Sequence, residues 1–155
     1  MKSKKLFGNI ILNKMILVVD PNVIISAVLN IGNSLNVFIL NKIIKKFDFV
    51  APEFLFIELG KHTEKLAKKS RFTLDNAKEI IEFLIKEIEI IPEYQFKDKF
   101  EDARKILKEH QKDVPYLALA LKLNCDIFSG DKILKKLIPN RVVNPKEMLD
   151  KIYYN

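Results

Sequence analysis

The strongest constraint on this chain is an alternation. Short apolar runs rich in β-branched residues are separated by longer stretches with helical spacing. Residues 16–19 (Ile-Leu-Val-Val), 48–51, 88–91 and 126–129 read as strands, and 141–143 as a fifth. The first is apolar throughout, as a strand buried on both faces should be. Amphipathic stretches lie between them at 23–29, 34–47 and 53–69, the last with Phe54, Ile57, Leu59 and Leu66 at helical spacing. Thr73 is placed to cap a helix ending at Lys86, with Leu74, Ala77, Ile80, Ile81, Leu84 and Ile85 inward. A further helix covers residues 99–110. Asp113 opens another, with Pro115 in its first turn and Leu117, Ala118, Leu121 and Leu123 as its buried stripe. After Gly130 and Asp131 a short helix reaches Leu137, and Pro145 starts a last one ending near Tyr153. This pattern predicts a three-layer α/β fold: a central, mostly parallel five-stranded sheet flanked by helices. A length of 155 residues makes room for one domain, expected over 15–155, with 1–14 as a short basic extension.

Composition excludes several classes. Hydrophobic residues at 48% and charged residues at 30% rule out a disordered tail or a collagen-like repeat. A single cysteine, Cys125, rules out an internal disulfide and a Cys-rich zinc site, so a cytoplasmic setting is expected. No membrane span is expected, because the apolar runs at 16–19 and 23–29 are short and interrupted by Asp20 and Asn22. Asn9, Asn13 and Lys14 break up the stretch that follows the Lys-rich start, against a signal peptide. The 27 basic and 20 acidic residues leave a net charge of +7. Such a balance favours polyanionic partners, RNA, DNA or an anionic membrane, or serves solubility alone. Only Arg71, Arg104 and Arg141 are arginines, so the charge suits phosphate attraction better than base readout.

Open parallel sheets bind ligands outside the carboxyl ends of their strands, where strand order reverses. Asp20 follows the first expected strand and Asp131 the fourth, while Asp113 stands at the mouth of the helix leading into the fourth. Glu58 interrupts the apolar stretch 54–59. Each has a plainer reading: turn former or helix cap for the three Asp, a solvent-facing side chain for Glu58. Taken together they suggest a cluster. Crowded carboxylates repel one another, and a divalent cation removes that penalty. Oxygen-only ligands suit Mg²⁺ or Mn²⁺. Such an ion activates water and stabilises in-line attack on phosphorus. An acidic metal centre inside a basic surface is what a nuclease needs.

Four stretches carry a family resemblance. Val18-Val-Asp20-Pro-Asn22-Val-Ile-Ile-Ser26-Ala27, then Glu58, then Lys112-Asp113-Val-Pro-Tyr116-Leu-Ala-Leu-Ala120, then Phe128-Ser-Gly-Asp131-Lys132 resemble the PIN domain over residues 15–143. The resemblance implies a metal-dependent ribonuclease that hydrolyses RNA phosphodiester bonds, as VapC-type toxins and RNA-processing PIN proteins do. It implies that Asp20, Glu58, Asp113 and Asp131 are the catalytic and Mg²⁺- or Mn²⁺-binding residues, with Asn22 and Ser129 as supporting polar groups. It also implies RNA as substrate, an antitoxin protein as partner in the toxin case, and a homodimer, for which 37–44 or 80–85 could supply the face. Pro21 departs from the family pattern, standing where a hydroxyl residue is common.

Other residues divide between roles. Lys61, Lys65, Lys68, Lys69 and Arg71 form a basic run after Glu58, either a solvated helix face or a phosphate track, and Lys132 could meet a phosphate at the rim. Glu53 competes with Glu58 but also suits a first helical turn. Asp126 lies five residues before Asp131, roughly 16 Å away along a strand, and is set aside. His62 and His110 have no partner at metal-ligand spacing, and Cys125 reads as a packed thiol. Three roles remain open: toxin, housekeeping RNA-processing nuclease, and non-catalytic RNA- or protein-binding module. A nucleotide-binding Rossmann protein fits less well, because no Gly-rich loop follows the first strand.

Overall fold

Each of the five runs read above as a strand supplies one, and the five strands all run parallel. The computed structural model describes residues 4–7, 10–30, 32–69 and 73–154. The basic extension carries an antiparallel pair of its own, β1 (Lys4–Phe7) and β2 (Ile10–Asn13), with Lys4 opposite Asn13. The main sheet contains β3 (Met15–Val19), β4 (Phe47–Pro52), β5 (Ile88–Ile91), β6 (Asp126–Phe128) and β7 (Val142–Val143), in the spatial order β5-β4-β3-β6-β7. The chain builds outward from β3 to β5 and then crosses back to add β6 and β7 on the other side. Strand order therefore reverses between β3 and β6.

Side chains alternate across the sheet with the two-residue period of a strand. Leu17, Val19, Phe49, Ala51, Phe128 and Val143 enter one core. Val18, Val50, Ile127 and Val142 enter the other. The first core is covered by α1 (Pro21–Leu29), α2 (Asn33–Ile44), α3 (Phe54–Lys69) and α4 (Leu74–Lys86). Phe38 of α2 packs its ring 5.0 Å from Phe49 and 5.8 Å from Phe128. The second core is covered by α5 (Phe100–Leu107), α6 (Val114–Leu123) and α7 (Lys132–Leu137). The last helix, α8 (Pro145–Tyr154), returns to the first face through Met148.

The structure corrects several details. The second helix stops at Ile44 rather than at 47. Lys45 turns left-handed there, and the Asn41 side chain then clamps Phe47, accepting from its N–H at 2.8 Å and donating to its carbonyl at 3.0 Å. Phe47 so becomes the first residue of β4, opposite Met15. Ile57 and Leu74 face outward, at 57% and 39% exposure, and Leu55 takes the inward place on α3. The helix expected over 99–110 is shorter, Phe100–Leu107, so His110 lies in the connection beside Asp113. On α6 the residues from Val114 to Ala120 are buried without a break, so it has no solvated face over that span, whereas Leu121 and Leu123 are only partly buried. No single helix among the described residues is long and apolar enough to cross a membrane.

Candidate active site

The site begins where β3 and β6 end side by side. Beyond Val19 the Asp20 N–H still donates to the Phe128 carbonyl at 3.0 Å, extending the ladder by one bond. This draws Ser129 alongside Asp20. Pro21, with its fixed φ, then starts α1. Asp20 uses its two oxygens differently. Oδ1 accepts from the Asn22 N–H at 3.1 Å and caps α1, while Oδ2 accepts from the Ser129 hydroxyl at 2.5 Å. Capping and membership of the cluster are thus compatible. Asn22 Oδ1 accepts from the Gly130 N–H at 3.0 Å, and Ser129 Oγ accepts from the Asp131 N–H at 3.0 Å. Asn22 and Ser129 lace the two strand ends together.

Asp131 caps α7, its Oδ1 accepting from Ile133 at 2.8 Å and Leu134 at 3.1 Å. Asp113 behaves otherwise. It stands immediately before α6, yet its side chain makes no capping bond and it is only 8% exposed. Its carboxyl is pushed up to about 6, first by burial and then by the charge of Asp20, with Asp131 adding to the rise and Lys112 and His110 opposing it. Burial also raises Asp20, against the pull of its bonds from Ser129 and Asn22. The three aspartates therefore feel one another's charge. Among the described residues none of them has an ion-pair partner.

Glu58 is half-buried on α3, with 32% of its side chain exposed, and Lys61 Nζ stands 3.9 Å from its Oε1. It turns further inward than its neighbours Phe56 and Ile57, which are 50% and 57% exposed. Its charge, with those of Asp20 and Asp113, reaches Tyr116, whose hydroxyl is held above its ordinary pKa mainly by burial. Tyr116 is 3% exposed, and its hydroxyl oxygen has no hydrogen-bond partner among the described residues. Within its motif in the sequence this residue has no assigned role. The available signal was its spacing: three residues after Asp113 on a helix, it shares that residue's face.

All the candidate donors are oxygens, which suits a hard, hydrated cation. Among the described residues, however, no three His, Cys, Asp or Glu side chains converge closely enough to hold an ion by themselves. Glu53 is engaged elsewhere, its Oε1 accepting from the Glu93 N–H at 3.1 Å. Asp126 pairs with Leu17 at the amino end of its strand, away from Asp20. Burial pushes the Cys125 thiol up to about 12, as expected of a packed thiol. Lys65, Lys68 and Lys69 are exposed along α3 and Lys132 is exposed on α7, while Arg71 lies outside the described residues. A cavity of about 450 Å³ opens beside Asn22 and Gly130, lined also by Ser26, Asn144, Lys132 and Lys146.

A family model describing the PIN domain matches residues 18–138, a span containing all four candidate acids. No curated protein matches the sequence. Solved structures that share the fold include these two. One is VapBC2 from Rickettsia felis bound to a DNA fragment from their promoter, with TM-score 0.64 and 19% identity, covering 84% of this chain and 98% of that one. The other is PAE2754 from Pyrobaculum aerophilum, with TM-score 0.67 and 10% identity, covering 92% and 91%.

Proposed function

This chain belongs to the PIN domain family, and from that premise we propose that it is a metal-dependent ribonuclease hydrolysing RNA phosphodiester bonds. The observation that carries the reading is the pair Asp20 and Asp113. Both are buried, both have raised pKa values, and neither has an ion-pair partner among the described residues. Unpaired buried charge costs stability. Such a pair at the carboxyl end of the sheet, beside the reversal of strand order, suits a cation and its anionic substrate. Asp20, Glu58, Asp113 and Asp131 are the residues to hold Mg²⁺ or Mn²⁺, which when bound would activate water and offset charge on the attacked phosphate.

The chain's own groups have distinct parts in this reading. Ser129 fixes Oδ2 of Asp20. Asn22 anchors Gly130 and so sets the position of the Asp131 turn. The cavity beside them has Lys132 and Lys146 in its lining and no carboxylate, which favours a phosphate backbone there. Lys61, Lys65, Lys68 and Lys69 follow Glu58 on α3 and extend the basic surface. For partners we look to protein as well as RNA. Exposed Ile39, Ile43, Phe56 and Ile57 favour an antitoxin or a second copy of the chain.

The test is cleavage of a mixed single-stranded RNA pool with Mn²⁺, with Mg²⁺ and with a chelator, beside a folded Asp20→Asn variant. The expected result is cleavage that needs the ion and disappears in the variant. Full activity in Asp20→Asn would remove the assignment. Absence of cleavage together with absence of Mn²⁺ binding would favour a non-catalytic binding module.

A further inference from the structure

A buried hydroxyl without a partner is rare enough to need a reason. Tyr116 is 3% exposed, and its hydroxyl oxygen is the one buried side-chain polar atom without a hydrogen-bond partner among the described residues. A phenylalanine would fill the same space and avoid the cost of an unmet donor. The tyrosine stands on α6 one turn beyond Asp113, among acids borne by three separate elements. Asp20 follows β3, Glu58 sits on α3 and Asp113 precedes α6.

A second observation bears on the same space. The charge of Asp20 acts on Asp113, and those of Asp20, Glu58 and Asp113 all act on the Tyr116 hydroxyl. Yet no three of them converge enough to form a cation's inner shell. Ions such as Mg²⁺ dehydrate reluctantly and usually keep several waters in their binding sites. Spaced carboxylates can hold such an ion partly through those waters. A water bound between an ion and a carboxylate is fixed best when a further polar group meets it.

From this geometry we infer that Tyr116 is a positioning residue whose hydroxyl hydrogen-bonds a water in the shell of a divalent cation held among Asp20, Glu58 and Asp113. The inference rests on the metal reading given above and adds a residue and a mode of binding to it. The orphaned hydroxyl and the spacing of the carboxylates then have one explanation: water occupies what lies between them.

The experiment is Mn²⁺ titration of the wild type, Tyr116→Phe and Asp20→Asn, followed by the spectroscopic signal of the free ion and without RNA. Removing an outer partner of a metal site typically weakens binding 10–100-fold, so Tyr116→Phe is expected to raise the Mn²⁺ dissociation constant at least about tenfold. Its metal-free melting temperature should stay level or rise, because the variant loses an unmet polar group. A merely structural hydroxyl would not produce that split. Equal Mn²⁺ affinity in the wild type and Tyr116→Phe, with Asp20→Asn impaired, overturns this inference and leaves the metal reading intact. Equal and negligible affinity in all three overturns both.

A measurement without substitution guards against misfolding of the variant. With tyrosine labelled by ¹³C at Cζ, Mg²⁺ should shift the Tyr116 resonance and leave those of Tyr94, Tyr153 and Tyr154, all exposed, in place. A Tyr116 signal unmoved at saturating Mg²⁺ overturns the inference.

Discussion

The two ends of the parallel sheet treat their carboxylates in opposite ways. At the amino end, Asp48 of β4 is paired with Lys14 at 3.3 Å and Glu87 with Lys42 at 2.8 Å. These charges line a cavity of about 570 Å³, with Lys45, Lys86 and Glu89. At the carboxyl end, Asp20 and Asp113 are more deeply buried, and neither they nor Asp131 have an ion-pair partner among the described residues. Larger size does not make the amino-end cavity the better site. Asp48 and Glu87 there are in ion pairs with lysines, while at the other end Asp20 and Asp131 accept from hydroxyl and backbone N–H groups and have no ion-pair partner among the described residues. Paired acids serve the fold; unpaired buried acids weaken it.

Substitutions at the two ends should differ accordingly. Asp20→Asn has the largest expected effect. The Oδ1 of an asparagine can still accept from the Asn22 N–H, and its amide nitrogen can donate to the Ser129 oxygen in place of the bond it loses, so the fold should survive. RNA cleavage should fall about 1,000-fold, or about 4 kcal/mol of barrier at 1.36 kcal/mol per tenfold. Initial rates on a labelled RNA, beside circular dichroism of the variant, measure both.

Asp113 comes next, through pH. Its carboxyl rises from an ordinary 3.8 to about 6 in the fold. The folded protein therefore holds that proton more tightly than the unfolded chain does. The resulting stabilisation is complete below the unfolded value and is lost as pH rises through about 6. A rise of that size is worth about 3 kcal/mol. Chemical denaturation of the metal-free protein should show the wild type losing up to that amount relative to Asp113→Asn between pH 4 and pH 7. A constant difference across that range would place Asp113 outside the coupled cluster.

Ser129→Ala sharpens the contrast further. It removes the bond to Oδ2 of Asp20 without removing a carboxylate, so Mn²⁺ affinity should weaken about tenfold. Titration of the two proteins side by side gives the ratio. The smallest effect belongs to the amino end. Lys42→Ala breaks an ion pair whose lysine is more than half exposed, so it should cost under about 1 kcal/mol and leave Mn²⁺ affinity unchanged. An effect on metal binding from that end would break the comparison.

The parts of this arrangement differ in how readily the sequence discloses them. Strands were legible because a parallel sheet covered on both faces needs continuous apolar runs, and 88–91 matches β5 to the residue. Helix ends were harder. The clamp of Asn41 on Phe47 and the left-handed Lys45 end α2 by a side-chain bond that hydropathy does not encode. The antiparallel pair β1 and β2 is not legible because Lys4, Lys5 and Asn13 mask the alternation of a strand. At the site, Asp20 and Asp131 stood out because each follows an apolar run. Their double use, as cap and as cluster member, needs coordinates, since it depends on which oxygen faces which group. Asp113 has the sequence context of a cap and stands at the N-cap position, but its side chain makes no capping bond. Tyr116 looked like core because the ring is core; only the hydroxyl is out of place.

The central claim is that the unpaired carboxylates at the carboxyl end of the sheet exist to hold a divalent cation. Its most direct test is thermal unfolding at pH 7.5 with and without Mn²⁺, for the wild type, Asp113→Asn and Asp48→Asn. A ligand that binds only the folded state raises its melting temperature. The account predicts that Mn²⁺ raises the midpoint of the wild type and of Asp48→Asn, and leaves Asp113→Asn, already more stable without metal, where it was. A wild-type midpoint indifferent to Mn²⁺, or the same shift in all three proteins, would contradict it.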